Sequence, residues 1–156
     1  MILPSSSGSP RCPETILFVD DEAVIRQVGE TVLRLQGYHV LLAADGLEAL
    51  EVYRREGSAI DLVILDLTMP RLSGSETLKR LAELDPGIRL LISTGHALAQ
   101  TPVVGFGRVL GVIHKPYRIS ELIARTREAL DYRRHGQAEL RAVRVEQLLP
   151  GVAQGG

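Results

Sequence analysis

The stretch DLVILDLTMP, residues 61–70, gives the clearest view of the fold. Four apolar residues, 62–65, lead directly into Asp66, and the chain then turns at Pro70. A short run that is apolar on every side is typical of a strand buried on both faces of a parallel sheet. A carboxylate at the end of such a strand is unfavourable to bury unless something pairs with it or uses it. Asp66 is therefore the first candidate for a functional residue.

Four further strand-like apolar runs alternate with helical patterns along the chain. The runs are 16–19, 38–44, 89–94 and 111–114. Helical spacing follows each run, and the helices are predicted at 22–36, 45–55, 73–84, 96–108 and 120–130. Strands that alternate with helices in this way predict one doubly wound α/β domain, with helices on both faces of a five-stranded parallel sheet.

Local capping signals support the predicted helix ends. Asp45 with Glu48 three residues later forms a capping-box pattern, and Gly37 is a helix stop. Ser120 is predicted as the N-cap of the last helix. Pro102, together with Gly105 and Gly107, predicts that the fourth helix is short or irregular.

The domain is expected to span residues 14–134. Residues 1–13 are rich in Ser, Pro and Gly and predict a flexible tail or linker. Residues 135–156 are predicted as a partly helical extension with no output domain, either a solvated continuation of the last helix or a partner-docking helix. About twenty residues are too few for a helix-turn-helix module, so direct binding to nucleic acid is not expected.

Composition and charge narrow the class of protein. At 156 residues, with 45% hydrophobic and 24% charged residues, the chain suits one domain with a full core. The formal net charge of −1 gives no reason to expect nucleic acid or an anionic membrane as a partner. The single Cys12 forms no internal disulfide, and neither a long apolar span nor a signal-peptide pattern is seen. The expectation is a cytoplasmic protein.

Polar side chains stand at the carboxyl ends of four predicted strands, where doubly wound sheets bind their ligands. They are Asp20 and Asp21, Asp66, Thr94, and Lys115. Close carboxylates repel one another unless a cation intervenes, and an all-oxygen set favours Mg²⁺ or Mn²⁺. A carboxylate beside such a cation can accept a phosphoryl group, with the lysine supplying charge and the threonine a hydrogen-bond donor.

These residues resemble the receiver domain of two-component response regulators. The matching pieces are FVDDE at 18–22, LVILDLTMP at 62–70 with Gly74 four residues past the proline, Thr94-Gly95, and Lys115-Pro116-Tyr117. The resemblance covers about 120 residues, and its pieces are specific in combination. It implies a flavodoxin-like sheet with the strand order 2-1-3-4-5.

The resemblance also implies a role for each residue. Asp66 would be the phosphoacceptor and would receive its phosphoryl group from a histidine kinase or a histidine phosphotransfer protein. Asp21, Asp66 and the backbone carbonyl of Thr68 would hold Mg²⁺ directly, and Asp20 would act mostly through a water ligand. Lys115 would pair with Asp66 and then with the phosphoryl group, and a cis Lys115–Pro116 bond would aim it. Thr94 would bind the phosphoryl group and so couple phosphorylation to the surface formed by the fourth helix, fifth strand and fifth helix. A homodimer would form through the same surface.

Two features depart from the family pattern. Val112 stands where an aromatic switch residue is usual, three positions before the lysine. The proline and glycines of the fourth helix are the second departure. Both lie on the expected route by which phosphorylation changes the output surface.

Other functions remain open at this stage. One is an Mg²⁺-dependent phosphohydrolase with an aspartyl nucleophile, although Thr68 stands where such enzymes need a second acid. Another is a binding module that does not respond to phosphate. As a receiver the chain would be regulatory and not an enzyme. It would have kinase activity only as part of a larger hybrid histidine kinase. The opening MILP and the Ser/Pro linker after it resemble the junction between the ATPase domain and the receiver of such a kinase. The downstream target is not predicted.

Overall fold

Five parallel strands form one sheet in the order β2-β1-β3-β4-β5, as predicted. The computed structural model describes residues 12–69, 72–95 and 108–132. The strands are β1 (Thr15–Val19), β2 (His39–Ala43), β3 (Leu62–Asp66), β4 (Arg89–Thr94) and β5 (Arg108–His114). The chain passes from β1 to β2 on one side and then crosses back to β3 on the other. This reversal opens a crevice at the carboxyl ends of β1 and β3.

Four helices cover the sheet among the described residues. They are α1 (Ala23–Leu35), α2 (Gly46–Glu56), α3 (Gly74–Leu84) and α4 (Ile119–Asp131), and a short 3₁₀ helix, Gly57–Ala59, follows α2. Helices α1 and α4 pack on one face, and α2 and α3 pack on the other. Within the described ranges, no helix combines the length and apolar character needed to cross a membrane.

Strand alternation divides the core into two layers. Along β1, Leu17 and Val19 join the α2–α3 layer, whereas Ile16 and Phe18 join the α1–α4 layer. All residues of β1 and β3 are buried, whereas β2 at the sheet edge exposes His39. Burial on both faces explains why these runs are continuously apolar.

Two predicted capping signals, at Asp45 and Gly37, match the structure, and a third cap, at Ser73, was not predicted. The Glu48 amide donates to Asp45 Oδ1 at 2.8 Å, and Glu48 Oε2 accepts from the Ala44 amide at 2.8 Å. Ser73 caps α3 by accepting from the Glu76 amide. Gly37 follows α1 with a φ of 93°, a left-handed conformation that glycine adopts without strain.

Two details of the prediction were wrong. Strand β5 begins at Arg108 instead of Gly111, because Arg108 and Val109 already pair with Arg89 and Leu90. Leu110 is a register irregularity, since the next pair is Leu91 with Gly111. A glycine inside a strand often marks such a bulge. Ser120 is not the N-cap of the last helix. Arg118 takes that position, and its carbonyl accepts from the Leu122 amide at 3.1 Å.

Several predicted features lie outside the described residues. The fourth helix, predicted at 96–108, falls almost entirely there, so the label α4 belongs to the last helix, Ile119–Asp131. The tail at 1–13, apart from its last two residues, and the extension at 135–156 are also outside it.

The end of α4 packs near the start of the sheet. The Arg127 guanidinium lies 4.0 Å from the Glu14 carboxylate and 5.2 Å from the centroid of the Tyr38 ring. Glu14 immediately precedes β1, and Tyr38 immediately precedes β2. The first and last described elements therefore meet where the strands begin.

Candidate functional site

Three carboxylates converge at the carboxyl ends of β1 and β3. One oxygen from each of Asp20, Asp21 and Asp66 lies within 4.8 Å of the other two. Asp20 and Asp66 are each 1% exposed, whereas Asp21 is exposed to solvent. We refer to these three residues as the acidic cluster. Parallel strands bring residues that are distant in sequence to one edge, which is why the strand-end pattern located the cluster correctly.

Lys115 joins two members of the acidic cluster. Its Nζ lies 2.7 Å from Asp20 Oδ2 and 3.0 Å from Asp66 Oδ2. Its backbone amide donates to the Thr94 carbonyl at 2.8 Å, and the Lys115–Pro116 bond is cis, as predicted. Burial alone would lower the pKa of Lys115, but its hydrogen bonds to Asp20 and Asp66 outweigh burial and raise the pKa. The ammonium form is therefore held in place.

Asp66 is hydrogen-bonded at both carboxylate oxygens. Oδ1 accepts from the Thr68 amide at 2.9 Å, and Oδ2 accepts from Lys115. Burial raises the pKa of Asp66 from 3.8 to about 6, with a smaller contribution from the negative charge of Asp20. The bonds from Thr68 and Lys115 oppose this change. Asp66 is therefore a buried carboxylate that still ionises near neutral pH.

Asp20 is also engaged at both oxygens. Oδ1 accepts from the Glu22 amide at 2.9 Å, and Oδ2 accepts from Lys115. By contrast, Asp21 makes no hydrogen bond or ion pair within the described part of the chain. Asp21 therefore offers its oxygens to a ligand more readily than Asp20 does.

The remaining predicted residues surround the acidic cluster. Thr94 ends β4 and is 3% exposed, but the register partner of Asp66 is Ser93, so Thr94 stands one residue further along the sheet edge. Val112 pairs with Ile92 and is buried in the α2–α3 layer. The Thr68 amide donates to Asp66 Oδ1, and Thr68 as a residue is exposed to solvent.

A groove of about 670 Å³ leads from the surface to the acidic cluster. Its apolar lining comes from the first half of α1, including Val24 and Val28, from Pro116 in the loop before α4, and from Ile119, the first residue of α4. Val24 is 70% exposed and Ile119 is 53% exposed, so the groove presents apolar side chains to solvent. We refer to this feature as the α1–α4 groove.

Two neighbours of the site were not predicted from the sequence. Arg26 in α1 donates from Nη1 to the Asp20 carbonyl at 2.6 Å. Tyr117 lines the α1–α4 groove, and its pKa is raised to about 12 by burial and then by the charge of Asp20. Neither residue stands at a strand end, so the strand-end pattern gave no signal for them.

The acidic cluster fits a hard divalent cation. It offers only oxygen ligands, and Mg²⁺ is bound through one or two carboxylates while it keeps several water ligands. Two carboxylates buried beside a single lysine also leave uncompensated negative charge that a cation would balance. The residues present therefore suit Mg²⁺ or Mn²⁺.

Comparison with known proteins points to one family. Residues 16–127 match the family model described as the response regulator receiver domain. The chain is 37% identical over 112 residues to sporulation initiation phosphotransferase F of Bacillus subtilis, a match covering 70% of this chain and 87% of that protein. It is 32% identical over 123 residues to the sensor kinase CckA of Brucella abortus, covering 75% of this chain and 12% of the kinase.

A solved structure agrees with these sequence matches. The CheX-CheY-BeF3-Mg+2 complex from Borrelia burgdorferi contains a chain with a TM-score of 0.65 and 27% identity, covering 73% of this chain and 87% of that one. The present chain spans about half the length of several transcriptional regulators that it also matches.

Proposed function

Because the chain belongs to the response regulator receiver domain family, we propose that it acts as a phosphorylation-dependent switch in a two-component phosphorelay, with Asp66 as the phosphoacceptor. The observation that carries this assignment is the placement of Asp66. It is buried among two other carboxylates and hydrogen-bonded to the Lys115 ammonium. A nucleophilic carboxylate needs this combination of a cation site and a fixed positive charge.

The proposed cation is Mg²⁺ or Mn²⁺. Asp21, Asp66 and the Thr68 carbonyl would hold it directly, and Asp20 would act mostly through a water ligand, as the family resemblance implies. When bound, the cation neutralises charge on the phosphoryl oxygens. The Borrelia complex, whose name includes BeF3 and Mg+2, supports this choice of metal.

The transfer step follows from the position of Asp66. One carboxylate oxygen attacks the phosphorus of a phosphohistidine, a P–O bond forms and the P–N bond breaks. The electron pair of the P–N bond remains on the imidazole nitrogen, which takes up a proton from solvent. Lys115 then moves its hydrogen bond from the Asp66 carboxylate to the transferred group, and the Thr94 hydroxyl donates to another phosphoryl oxygen.

The donor is proposed to be a histidine kinase or a histidine phosphotransfer protein, which would approach along the α1–α4 groove. That groove leads to Asp66 and Lys115, and its exposed apolar side chains suit a protein partner. A cytoplasmic location is part of this proposal, as is a regulatory role in which the chain turns over no separate substrate. A homodimer through the predicted fourth helix, β5 and α4 stays a prediction.

The test is chemical labelling. The intact chain is incubated with Mg²⁺ and a small-molecule phosphodonor and then analysed by mass spectrometry. Wild type should gain the mass of one phosphoryl group, and Asp66→Asn should gain none. Asp61→Asn is the matched control, because Asp61 precedes the same strand at its opposite end and accepts from the Thr15 amide. An unmodified wild type, or equal labelling of Asp66→Asn, would overturn the proposal.

A phosphohydrolase is not favoured. Thr68 occupies the position of the second acid in such enzymes, and its contribution near Asp66 is a backbone amide. A threonine hydroxyl does not serve as a general acid near neutral pH.

A further inference from the structure

All four polar groups of Asp20 are hydrogen-bonded. Its amide donates to the Ala43 carbonyl at 3.2 Å, and its two carboxylate oxygens accept from Glu22 and Lys115. The fourth group, the backbone carbonyl, accepts from Arg26 Nη1 at 2.6 Å. Of these four bonds, only the last comes from a side chain of α1. Arg26 therefore links the helix directly to the backbone that carries the acidic cluster.

Besides the Arg26 bond, the bond from the Glu22 amide to Asp20 Oδ1 spans Asp21, but the junction between β1 and α1 has no side-chain cap. Glu22 is the N-cap of α1 but makes no side-chain capping bond, and the first turn holds no acidic residue. Capping bonds of that kind normally fix the entry of a chain into a helix. Asp21 sits within this junction and has no partner of its own among the described residues. Its position therefore depends on how firmly the backbone on either side is held.

We propose that Arg26 is a positioning residue for the cation site: by holding the Asp20 carbonyl, it fixes the turn that presents Asp21 beside Asp66. This inference rests on the proposed function, because it concerns the same cation. Arg26 does not touch the cation in this scheme. Residues that orient metal ligands through a hydrogen bond commonly change metal affinity by about tenfold or more when they are replaced.

Charge alone predicts the opposite result. Arg26 carries a positive charge close to a site for a divalent cation, so removal of that charge would strengthen Mg²⁺ binding by Coulomb's law. Positioning predicts weaker binding, because the Asp20–Asp21 turn loses its anchor. The sign of the change in affinity therefore separates the two effects.

The experiment measures Mg²⁺ affinity of the intact chain by isothermal titration calorimetry, with folding checked by circular dichroism. Arg26→Met removes both charge and donor, and Arg26→Lys keeps the charge but loses the planar guanidinium. Arg34→Met is the matched control, because Arg34 lies in the last turn of the same helix and pairs with Glu30 at 2.9 Å. We expect Mg²⁺ binding about tenfold weaker in Arg26→Met, a smaller loss in Arg26→Lys, and no change in Arg34→Met.

Labelling gives a second readout. In Arg26→Met, the Mg²⁺ concentration for half-maximal phosphorylation should rise by about the same factor, while the rate at saturating Mg²⁺ stays close to that of wild type. Unchanged or tighter Mg²⁺ binding in folded Arg26→Met, or an equal loss in Arg34→Met, would overturn the inference. If Arg26→Met does not fold, Arg26→Lys decides, since unaltered affinity there would also overturn it. A wild type that neither binds Mg²⁺ nor becomes labelled would instead overturn the proposed function.

Discussion

Asp66 combines two properties that oppose each other at the scale of a single residue. It is 1% exposed, yet it has to be ionised to act as a nucleophile. Burial raises its pKa to about 6, and one lysine serves both Asp66 and Asp20. Without a bound cation, the folded protein therefore carries an unfavourable charge at this position above pH 6.

Replacement of Asp66 should stabilise the cation-free protein. The pKa of Asp66 is raised on folding from 3.8 to about 6. Between these values the unfolded chain has lost the proton and the folded chain keeps it, so the contribution of Asp66 to stability falls as pH rises through this window. Asp66→Asn avoids that loss. We expect the free energy of unfolding of the variant to exceed that of wild type by up to about 3 kcal/mol above pH 6. Near pH 4 we expect the two free energies to be almost equal.

Urea unfolding in the presence of a chelator, at one pH on each side of the window, measures this difference. The control variant Asp61→Asn should not be more stable than wild type, because Asp61 accepts a hydrogen bond from the Thr15 amide. A wild type more stable than Asp66→Asn at neutral pH without Mg²⁺ would contradict the assigned electrostatics.

At the scale of elements, the start of α3 is packed directly on the end of β3. The Gly74 amide donates to the Leu67 carbonyl at 3.3 Å. A Cβ at Gly74 would lie 2.7 Å from the Asp66 carbonyl oxygen and closer still to Leu67 Cα. The obstacle is backbone, which cannot rotate away as a side chain can. Glycine is therefore required at position 74 because there is no room for a Cβ atom.

Gly74→Ala should destabilise the protein by about 1–3 kcal/mol through overpacking and should also slow the labelling of Asp66. Helix propensity predicts the reverse sign, because alanine favours a helix over glycine by about 1 kcal/mol. Urea unfolding and the labelling rate report the two effects. Lys79→Ala, on the exposed side of α3, is the control and should change neither. A Gly74→Ala protein that is more stable and fully active would refute the close approach.

Elements whose signals are local could be predicted from the sequence. The strand ends bearing Asp20, Asp66 and Lys115 follow from apolar runs in a parallel sheet, and the Asp45 cap follows from a short motif. The irregularity at Leu110 could not be predicted, because it depends on which residue of β4 each residue of β5 faces. Capping propensity favoured Ser120, but the backbone after Pro116 already begins the helical hydrogen bonds at Arg118.

The role inferred for Arg26 could not be predicted from the sequence either, because it depends on packing between distant elements. An arginine one turn into an amphipathic helix is ordinarily a solvated surface residue. Its bond to the Asp20 carbonyl depends on how α1 packs against the end of β1. Tyr117 belonged to the Lys115-Pro116-Tyr117 motif, but its place in the lining of the α1–α4 groove is seen only in the structure.

At the scale of the whole molecule, Mg²⁺ should stabilise the fold because the acidic cluster exists only when β1 and β3 are assembled. A ligand that binds only the folded state adds about 2.7 kcal/mol at a concentration 100 times its dissociation constant. Thermal unfolding with MgCl₂ at that ratio should therefore show a higher Tm than the chelated protein. Asp66→Asn should show a smaller rise, because it lacks one of the proposed carboxylate ligands.

A sodium chloride sample of equal ionic strength controls for general screening of charge. Equal rises in Tm for wild type and Asp66→Asn would place the Mg²⁺ effect elsewhere on the surface. Reversal by a chelator would show that the effect is an equilibrium one.

The contact of Arg127 with Glu14 and Tyr38 has an architectural consequence. The first strand begins, and the last helix finishes, on the side of the sheet opposite to Asp66. Ends that lie close together allow a domain to be inserted into, or appended to, another polypeptide with little disturbance. The described domain therefore begins and ends on the side of the sheet away from the acidic cluster. We expect fluorescent tags or neighbouring domains joined at residues 12 and 132 to leave the carboxyl ends of the strands accessible.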